Sequence, residues 1–252
     1  MRSFGMLLTN EWLKLFKKKS IYVPFAILAL FAGVYAYAAF RLKIEISSGA
    51  AFAAEAISMG SAGQLLPMLA IIALASMVSK EYRMGTIKLL LIRAHSRNKI
   101  LASKYIVSLL FTASLIVFTA AAVLITGTIV YGFGGDAELW GQIGKSMLYL
   151  LIYTVVYVSL TFMIDVLTKS SGVTVGISLF CIMIGGLVTL LLSKYEFAKY
   201  LLFASTDLSQ YEPGSELFIE GMSLPFSVSV LIGYTAIFLI ASFVTFRKRD
   251  VS

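Results

Sequence analysis

Charged residues are scarce in this 252-residue sequence, in which aspartate, glutamate, lysine and arginine together make up only 13%. Hydrophobic residues make up 59%, and the mean hydropathy is +0.90. A soluble domain is about half apolar and about a quarter charged, so a soluble fold of this composition would expose large apolar patches. The composition therefore predicts an integral membrane protein.

Cysteine and histidine each occur once, as Cys181 and His95. A single cysteine excludes a disulfide within the chain and a thiolate metal cluster, and a lone histidine lacks partners for a metal site. Cys181 lies inside an apolar run, which is typical of a small buried residue. We therefore expect neither a metal site nor a catalytic constellation, and the chain is not expected to be an enzyme.

Nucleotide and nucleic-acid binding also lack their usual signals. The sequence has no Gly-x-x-x-x-Gly-Lys-Ser/Thr loop and no polar stretch long enough for a nucleotide-binding domain. Its densest basic segment, Lys80–Lys104, has no aromatic interleaving of the kind that stacks bases. ATP hydrolysis by this chain and binding of nucleic acid are therefore not expected.

Six apolar runs of about 18 or more residues are long enough to cross the hydrocarbon core of a bilayer as helices. They are continuously apolar rather than alternating, which favours helices over a β-barrel. The first run follows three lysines, as a signal peptide would, but it is long and five spans follow, so we interpret it as a retained helix. The predicted spans are Ile21–Phe40, Ala62–Ser79, Tyr105–Tyr131, Ser146–Ile164, Gly172–Ser193 and Pro225–Phe246.

Lysine and arginine are distributed unequally between the two sides that six spans create. Sixteen of the 21 lie on the side that holds both termini and the loops after spans two and four. Nine of the 13 acidic residues lie on the other side. An excess of lysine and arginine marks the cytoplasmic side. We therefore expect a multi-pass protein of the cell membrane with both termini in the cytoplasm.

Residues 1–20 are patterned as an amphipathic helix that precedes the six-span domain, residues 21–252. One helical face is apolar, and the basic residues lie mostly opposite; the apolar face consists of Phe4, Leu8, Trp12, Leu15 and Phe16. Such a helix lies along the membrane interface. The simpler alternative is a basic flank that only fixes orientation, and the two are not exclusive.

The loop between spans two and three, residues 80–104, carries seven basic residues and one acid, Glu81. Topology explains the sign of this charge, but it does not explain the apolar stretch MGTIKLLLI in the middle of the loop. From Met84 to Leu101 the spacing favours one or two short amphipathic helices. Such a helix can lie on the membrane or fill a groove on a cytoplasmic partner, and periodicity does not separate these.

The run KEYRMGTIKLLLIRAHSRNKILASK resembles the cytoplasmic loop of permease subunits of type-2 ABC exporters. In that family a Glu is followed by Gly-Thr, a Leu-rich helix, a Ser-Arg pair and a Lys at the next span. The corresponding residues here are Glu81, Gly85, Thr86, Leu89 to Leu91, Ser96, Arg97 and Lys104. This chain has Ala94 where family members usually carry proline. The six predicted spans and the amino-terminal helix also resemble those of permeases in this family.

The resemblance implies a membrane subunit that pairs with a second permease copy, as a homodimer or a related heterodimer, and with two copies of a cytoplasmic ABC ATPase. ATP and Mg would bind to that ATPase, and this chain would need no cofactor. A coupling helix between spans two and three would dock on the ATPase. The residues expected at this contact are Glu81, Tyr82, Gly85, Thr86, Leu89, Arg93 and Arg97. The resemblance also implies a bacterial membrane.

The expected cargo is apolar or amphipathic, such as a peptide, a toxin, an antibiotic or a lipid-like molecule. The spans offer aromatic and methionine side chains with almost no fixed charge. The external loop 194–224 is acidic and is patterned as a short helix followed by a turn at Glu212-Pro213-Gly214. Family permeases are similar in having short helices here that cap the pathway. A non-transporting membrane scaffold or sensor that recruits a partner through loop 80–104 is the main alternative.

Three further residues are singled out by their positions. Asp165 lies at the end of span four, one turn before Lys169, where pairing is easy. A secondary carrier that uses Asp165 is a second alternative, although the sequence shows neither the further buried charge nor the broken helices that such a carrier needs. Gly172 and Gly176 form Gly-x-x-x-Gly in span five, which favours close helix packing within the chain or, less strongly, between copies.

Overall fold

The computed structural model describes residues 2–85, 96–212, 214–215 and 217–248. Every regular element in these ranges is a helix. Six helices are long and apolar enough to cross a membrane, which confirms the predicted number of spans. These spans one to six are Lys19–Arg41, Ala62–Arg83, Arg97–Tyr131, Ala137–Thr168, Ser171–Leu192 and Leu224–Lys248. An amino-terminal helix, Arg2–Lys17, precedes them.

Spans three and four are longer than their apolar runs predict. Span three has 35 residues and span four has 32, so both helices extend beyond the thickness of the hydrocarbon core. Span four starts where the carboxylate of Asp136 accepts a hydrogen bond from the backbone N–H of Leu139, 2.9 Å away. Span three ends at Gly132, whose φ of 82° leaves the helical region. Hydropathy marks the membrane segment, whereas capping residues mark the ends of the helix.

Spans two, three and four form the centre of the bundle. Within their most apolar windows, 67%, 50% and 72% of the residues are buried, against 28%, 22% and 17% in spans one, five and six. The outer spans expose large apolar side chains, including Leu30, Met183 and Ile232. Exposed apolar side chains are stable on the outside of a bundle only where lipid or protein covers them.

Span two is interrupted before its end. Its first part is Ala62–Leu74, and its last turn is the short helix Ser79–Arg83. Residues 75–78 between the two parts form a turn. No broken helix was expected from the sequence. The apolar run of span two continues through the interruption and gives no sign of it. Pro67 lies inside the first part of the span and is not at the break.

A short helix, Gly49–Ile57, lies between spans one and two and was not expected from the sequence. It packs closely against span three, where the N–H of Gly49 donates to the carbonyl of Gly132 at 2.9 Å. A Cβ built on Gly127 would lie 2.7 Å from Cδ1 of Phe52 and 2.9 Å from the carbonyl oxygen of Gly49. The two backbones therefore approach more closely than any side chain would allow.

The segment between spans five and six folds into three short helical pieces, Glu196–Tyr200, Leu202–Thr206 and Leu208–Tyr211. The side-chain amide of Gln210 donates to the carbonyls of Ala204 and Asp207, at 3.0 and 2.7 Å. Short helical structure was expected here. Of the expected turn, Pro213 lies outside the described residues, and Gly214 has a φ of 88°.

Candidate functional site

One end of the bundle, here called the basic end, gathers the amino-terminal helix, both ends of loop 80–104 and the end of span six. Lys18 Nζ lies 3.5 Å from Ser76 Oγ, and a guanidinium nitrogen of Arg97 donates to the carbonyl of Arg247 at 3.1 Å. These contacts join segments that are far apart in sequence but lie on one side of a six-span chain. The basic end therefore contains both ends of the loop that the sequence singles out.

Four charged side chains form an ion cluster at the basic end, made up of Glu11, Lys14, Glu81 and Lys104. Lys104 Nζ lies 2.7 Å from Glu11 Oε2 and 2.7 Å from Glu81 Oε1. Lys14 Nζ lies 2.6 Å from Glu11 Oε1 and 3.4 Å from Glu81 Oε1. Two lysines thus alternate with two carboxylates, and the cluster has no net charge. It joins the amino-terminal helix, the last turn of span two and the first part of span three.

The members of the ion cluster differ in burial. The side chain of Lys104 is 2% exposed, those of Glu11 and Glu81 are 6% and 13% exposed, and that of Lys14 is 52% exposed. A buried charge requires partners of opposite charge. Moving one ion from water into the protein costs several kcal/mol, which is on the order of the attraction that an ion pair gains. Lys104 is therefore the member on which the buried carboxylates depend.

The pKa values of the members on the amino-terminal helix follow the same geometry. Burial opposes ionisation of Glu11, but the neighbouring Lys104 and Lys14 outweigh it and hold the pKa of this carboxyl below its usual value. Burial also opposes the charge of Lys14, and the hydrogen bond and charge of Glu11 outweigh it, so the pKa of Lys14 is raised. Both groups are therefore charged at neutral pH.

The amino-terminal helix packs against span three through aromatic contacts around the cluster. The ring centroids of Trp12 and Phe16 are 4.5 Å apart, and those of Phe16 and Phe111 are 6.4 Å apart. Leu7 and Leu15 are buried on the same side. Glu11 lies among these residues, so the apolar face of this helix carries a buried acid and rests on protein.

Asp165, at the end of span four, holds the interruption in span two. Its Oδ2 accepts the backbone N–H of Val78 at 2.7 Å and that of Ser79 at 3.3 Å. These two amides lie where the last turn of the span begins, and they would otherwise lack helical partners. Asp165 was expected to pair with Lys169, but Lys169 Nζ instead lies over the ring of Tyr82, 4.6 Å from its centroid.

A comparison with known proteins relates the chain to a family. The family model described as "Protein of unknown function (DUF2705)" matches residues 15–252. This chain belongs to the DUF2705 family. The match includes all six spans, Glu81, Lys104 and Asp165, and it begins after Glu11.

Two proteins of Bacillus subtilis strain 168 are similar to this DUF2705 chain. The uncharacterized protein YhcI is 34% identical over 205 residues, which cover 75% of this chain and 65% of YhcI. The chain therefore spans less than two thirds of that relative. The uncharacterized membrane protein YdbK is 28% identical over 245 residues, which cover 95% of this chain and 99% of YdbK. With its six apolar helices, the similarity to YdbK supports a multi-pass membrane protein.

The residues expected to contact an ATPase have different positions in this DUF2705 chain. Glu81 and Tyr82 face the bundle: Glu81 belongs to the ion cluster, and the ring of Tyr82 lies 6.2 Å from that of Phe246. Gly85 follows the last turn of span two with a φ of 66°, a conformation that favours glycine and ends the helix. Arg97 begins span three. Thr86, Leu89 and Arg93 lie outside the described residues.

Gly172 and Gly176 do not form the close packing within the chain that their spacing favours. A Cβ built on either glycine would meet no heavy atom within 4 Å among the described residues, and both are exposed. The glycines that do permit close approach are Gly49 and Gly127. The Gly172 and Gly176 face of span five is therefore open within this chain.

Sequence reasoning did not identify Glu11 as a site residue. Its signal was present, because Glu11 follows Leu7 and precedes Leu15 at four-residue spacing, so it shares a face with apolar residues. An acid on the apolar face of a helix needs a basic partner from another element. Within the described residues, no group of three or more histidine, cysteine, aspartate or glutamate side chains is placed to hold a metal ion.

Proposed function

We propose that this chain is the membrane subunit of an ATP-driven exporter of the type-2 ABC class, which moves an apolar or amphipathic cargo across the cell membrane. The observation that carries the proposal is the direct ion pair between Glu81 and Lys104, at 2.7 Å. These residues flank the segment that resembles the coupling loop of that class. The loop is thus joined at its base to three elements of the bundle.

In the proposed mechanism the ion cluster transmits movement of the loop. Partner ATPases that close on ATP would push the loop between Glu81 and Lys104. Because Glu81 belongs to the last turn of span two and Lys104 to span three, both spans would move together with the amino-terminal helix. The turn at 75–78 comes just before the last turn of span two, and it offers a hinge about which the loop and its attached helices could move. Asp165 keeps the hinge attached to span four.

The proposal divides the predicted contact residues into two roles. Glu81 and Tyr82 are turned toward the bundle and would position the base of the loop. Thr86, Leu89, Arg93 and the exposed part of Arg97 would contact the ATPase, with an apolar side chain in a groove and basic side chains setting register. The amino-terminal helix would lie at the cytoplasmic interface, and both termini would be cytoplasmic. ATP and Mg would bind to the two ATPase copies.

The test is co-purification from the native host in mild detergent. Wild type is compared with a Leu89→Asp, Arg93→Glu variant and with a matched control, Leu42→Asp, Arg41→Glu. Leu42 and Arg41 are exposed at the other end of span one, so the control has the same changes away from the loop. We expect wild type and control to retain a stoichiometric ATPase of roughly 25–35 kDa, the size of one or two domains, and the loop variant to lose it.

Absence of an ATPase from wild-type preparations in several mild detergents would contradict the exporter. Recovery of a partner without a Walker lysine would favour the scaffold or sensor alternative. The structure gives no added support to a carrier that uses Asp165, because this carboxylate is already bonded to two backbone amides.

A further inference from the structure

A cavity of about 620 Å³ lies at the end of the bundle opposite the ion cluster. It is bounded by the first part of span two, the middle of span four, the second half of span five and the short helix Leu202–Thr206. A volume of this size is in the range that holds a small organic molecule, roughly 300–1,000 Å³. Its walls include Met68, Tyr153, Tyr157, Phe203 and Phe218.

A smaller cavity of about 200 Å³ adjoins the first, because Met59 and Asp207 line both. The smaller cavity is also lined by Glu212 and by the hydroxyl-bearing residues Ser146 and Tyr149. Among the described residues that line the two cavities, Asp207 and Glu212 are the charged ones, and none is a lysine or an arginine. Together the cavities form a site with an aromatic part and an anionic part.

Span four supplies an aromatic wall along both cavities. Tyr149, Tyr153 and Tyr157 are spaced by four residues and therefore lie on one face of this helix. Tyr149 lines the smaller cavity, and the other two line the larger one, with their ring centroids 4.9 Å apart. Aromatic faces attract organic cations, and they also contact apolar groups.

We propose that the paired cavities bind an amphipathic organic cation. Its apolar or aromatic body would occupy the larger cavity, and its positive charge would lie near Asp207, with Glu212 beyond. This inference deepens the proposed function, because it rests on the exporter for the statement that the bound cation is cargo. The binding itself depends only on the geometry of this chain.

Local structure keeps Asp207 at the junction of the cavities. Its Oδ1 accepts hydrogen bonds from the backbone N–H of Ser209 at 2.9 Å and from the hydroxyl of Ser209 at 2.6 Å. The side-chain amide of Gln210 also donates a hydrogen bond to the backbone carbonyl of Asp207 at 2.7 Å. Asparagine at this position retains an acceptor for the cap, so Asp207→Asn removes the charge and keeps the fold of the segment.

Two neighbouring glycines, Gly185 and Gly186, line the larger cavity. A Cβ on Gly185 would lie 3.0 Å from Cδ1 of Phe203 and 3.4 Å from the hydroxyl of Tyr157. A Cβ on Gly186, which also lines the cavity, would meet no heavy atom of the described residues within 4 Å. Gly186→Leu therefore adds a large side chain at the cavity lining, at a position where its Cβ meets no described heavy atom.

The test is equilibrium dialysis of the purified full-length chain, without any ATPase, against radiolabelled tetraphenylphosphonium. Tetraphenylborate, an anion of the same shape, is the chemical control, and empty micelles correct for partition into detergent. The variants are Asp207→Asn, Gly186→Leu and Glu220→Gln. Glu220 is an exposed acid of the same external segment that lines neither cavity, so its variant carries the same charge change.

We expect saturable binding of tetraphenylphosphonium to wild type and to Glu220→Gln, and none of tetraphenylborate. Loss of a near charge partner in Asp207→Asn is expected to weaken binding about tenfold, and Gly186→Leu is expected to abolish it. Equal binding of the cation and the anion, equal behaviour of Asp207→Asn and Glu220→Gln, or no saturable binding to wild type would overturn the inference. ATPase capture is measured separately, so cation binding without capture would remove the exporter and leave the site.

Discussion

Lys104 is a buried base between two acids, and its role follows from that position. Its ammonium group lies 2.7 Å from a carboxylate oxygen of Glu11 and of Glu81 and is shielded from solvent. Lys14 contacts the same two acids, but its side chain is 52% exposed. Water and salt screen exposed pairs, so the contacts of Lys14 contribute less to stability than those of Lys104.

This difference gives a paired prediction for stability. Lys104→Met leaves two buried carboxylates without their enclosed cation, which is expected to cost about 3–5 kcal/mol. Lys14→Met removes an exposed partner and is expected to cost less than about 1 kcal/mol. The measurement is the thermal unfolding midpoint of each purified variant in the same detergent. Equal midpoints for the two variants would contradict the greater dependence of the cluster on Lys104.

Two variants of Asp165 test whether its carboxylate has a structural role or moves protons. Asp165→Ala removes the acceptor of the Val78 and Ser79 amides, and a buried unsatisfied group costs about 1–3 kcal/mol. Asp165→Asn retains one acceptor oxygen, so we expect its unfolding midpoint to lie closer to wild type than that of Asp165→Ala. If Asp165→Asn instead abolished transport while stability and assembly stayed unchanged, the carrier alternative would gain its first support.

The helices themselves differ in how well the sequence predicts them. All six spans were predicted because long apolar runs dominate the signal. The short helix Gly49–Ile57 was missed because its nine residues are too few for the long apolar run that marks a span. The turn at 75–78 was missed because Asp165, 87 positions from Val78 in the chain, supplies the partner of its backbone. Local patterns do not contain such distant partners.

The same limit applies to the ion cluster. Glu81 and Lys104 fell within the segment that the sequence singled out, although their mutual contact was not predicted. Glu11 was missed, since its partner Lys104 lies 93 positions away. Helical spacing shows which residues share a face, but it does not show which charged residue of another helix will meet that face.

Close packing of the short helix gives a prediction at Gly127. Gly127→Ala would place a methyl group 2.9 Å from the carbonyl oxygen of Gly49, a backbone atom that cannot turn aside. Overpacking of this kind costs about 1–3 kcal/mol. Gly233→Ala is the matched control in span six, because its Cβ would meet nothing within 4 Å in the part of the chain that the structure describes. We expect a lower unfolding midpoint for Gly127→Ala only; equal midpoints would contradict the close contact.

The whole molecule has two chemically different ends, joined by spans of unequal burial. The basic end contains the partly buried ion cluster, in which two acids balance two bases, whereas the opposite end contains cavities whose charged lining residues, among those described, are acidic. Spans one, five and six surround the bundle with mostly exposed windows. Helices can approach closely where a face carries small residues. Such a face, when it has no partner within the chain, is therefore better suited to contact a second copy than a face with large side chains.

Span five is therefore the expected contact between two copies in the proposed dimer. The chain has one cysteine, so a Cys181→Ser background allows a single cysteine to be placed at will. Gly176→Cys in that background is expected to form an oxidative cross-link, because two cysteines bond only when their Cβ atoms lie about 3.5–4.5 Å apart. Ile232→Cys is the control, since this side chain of span six is 64% exposed.

Oxidised membranes analysed on denaturing gels should show a band at twice the 27.5 kDa chain mass for Gly176→Cys alone. A cross-link through Ile232→Cys with none through Gly176→Cys would assign the contact to span six, and the open face of span five would then be a lipid surface.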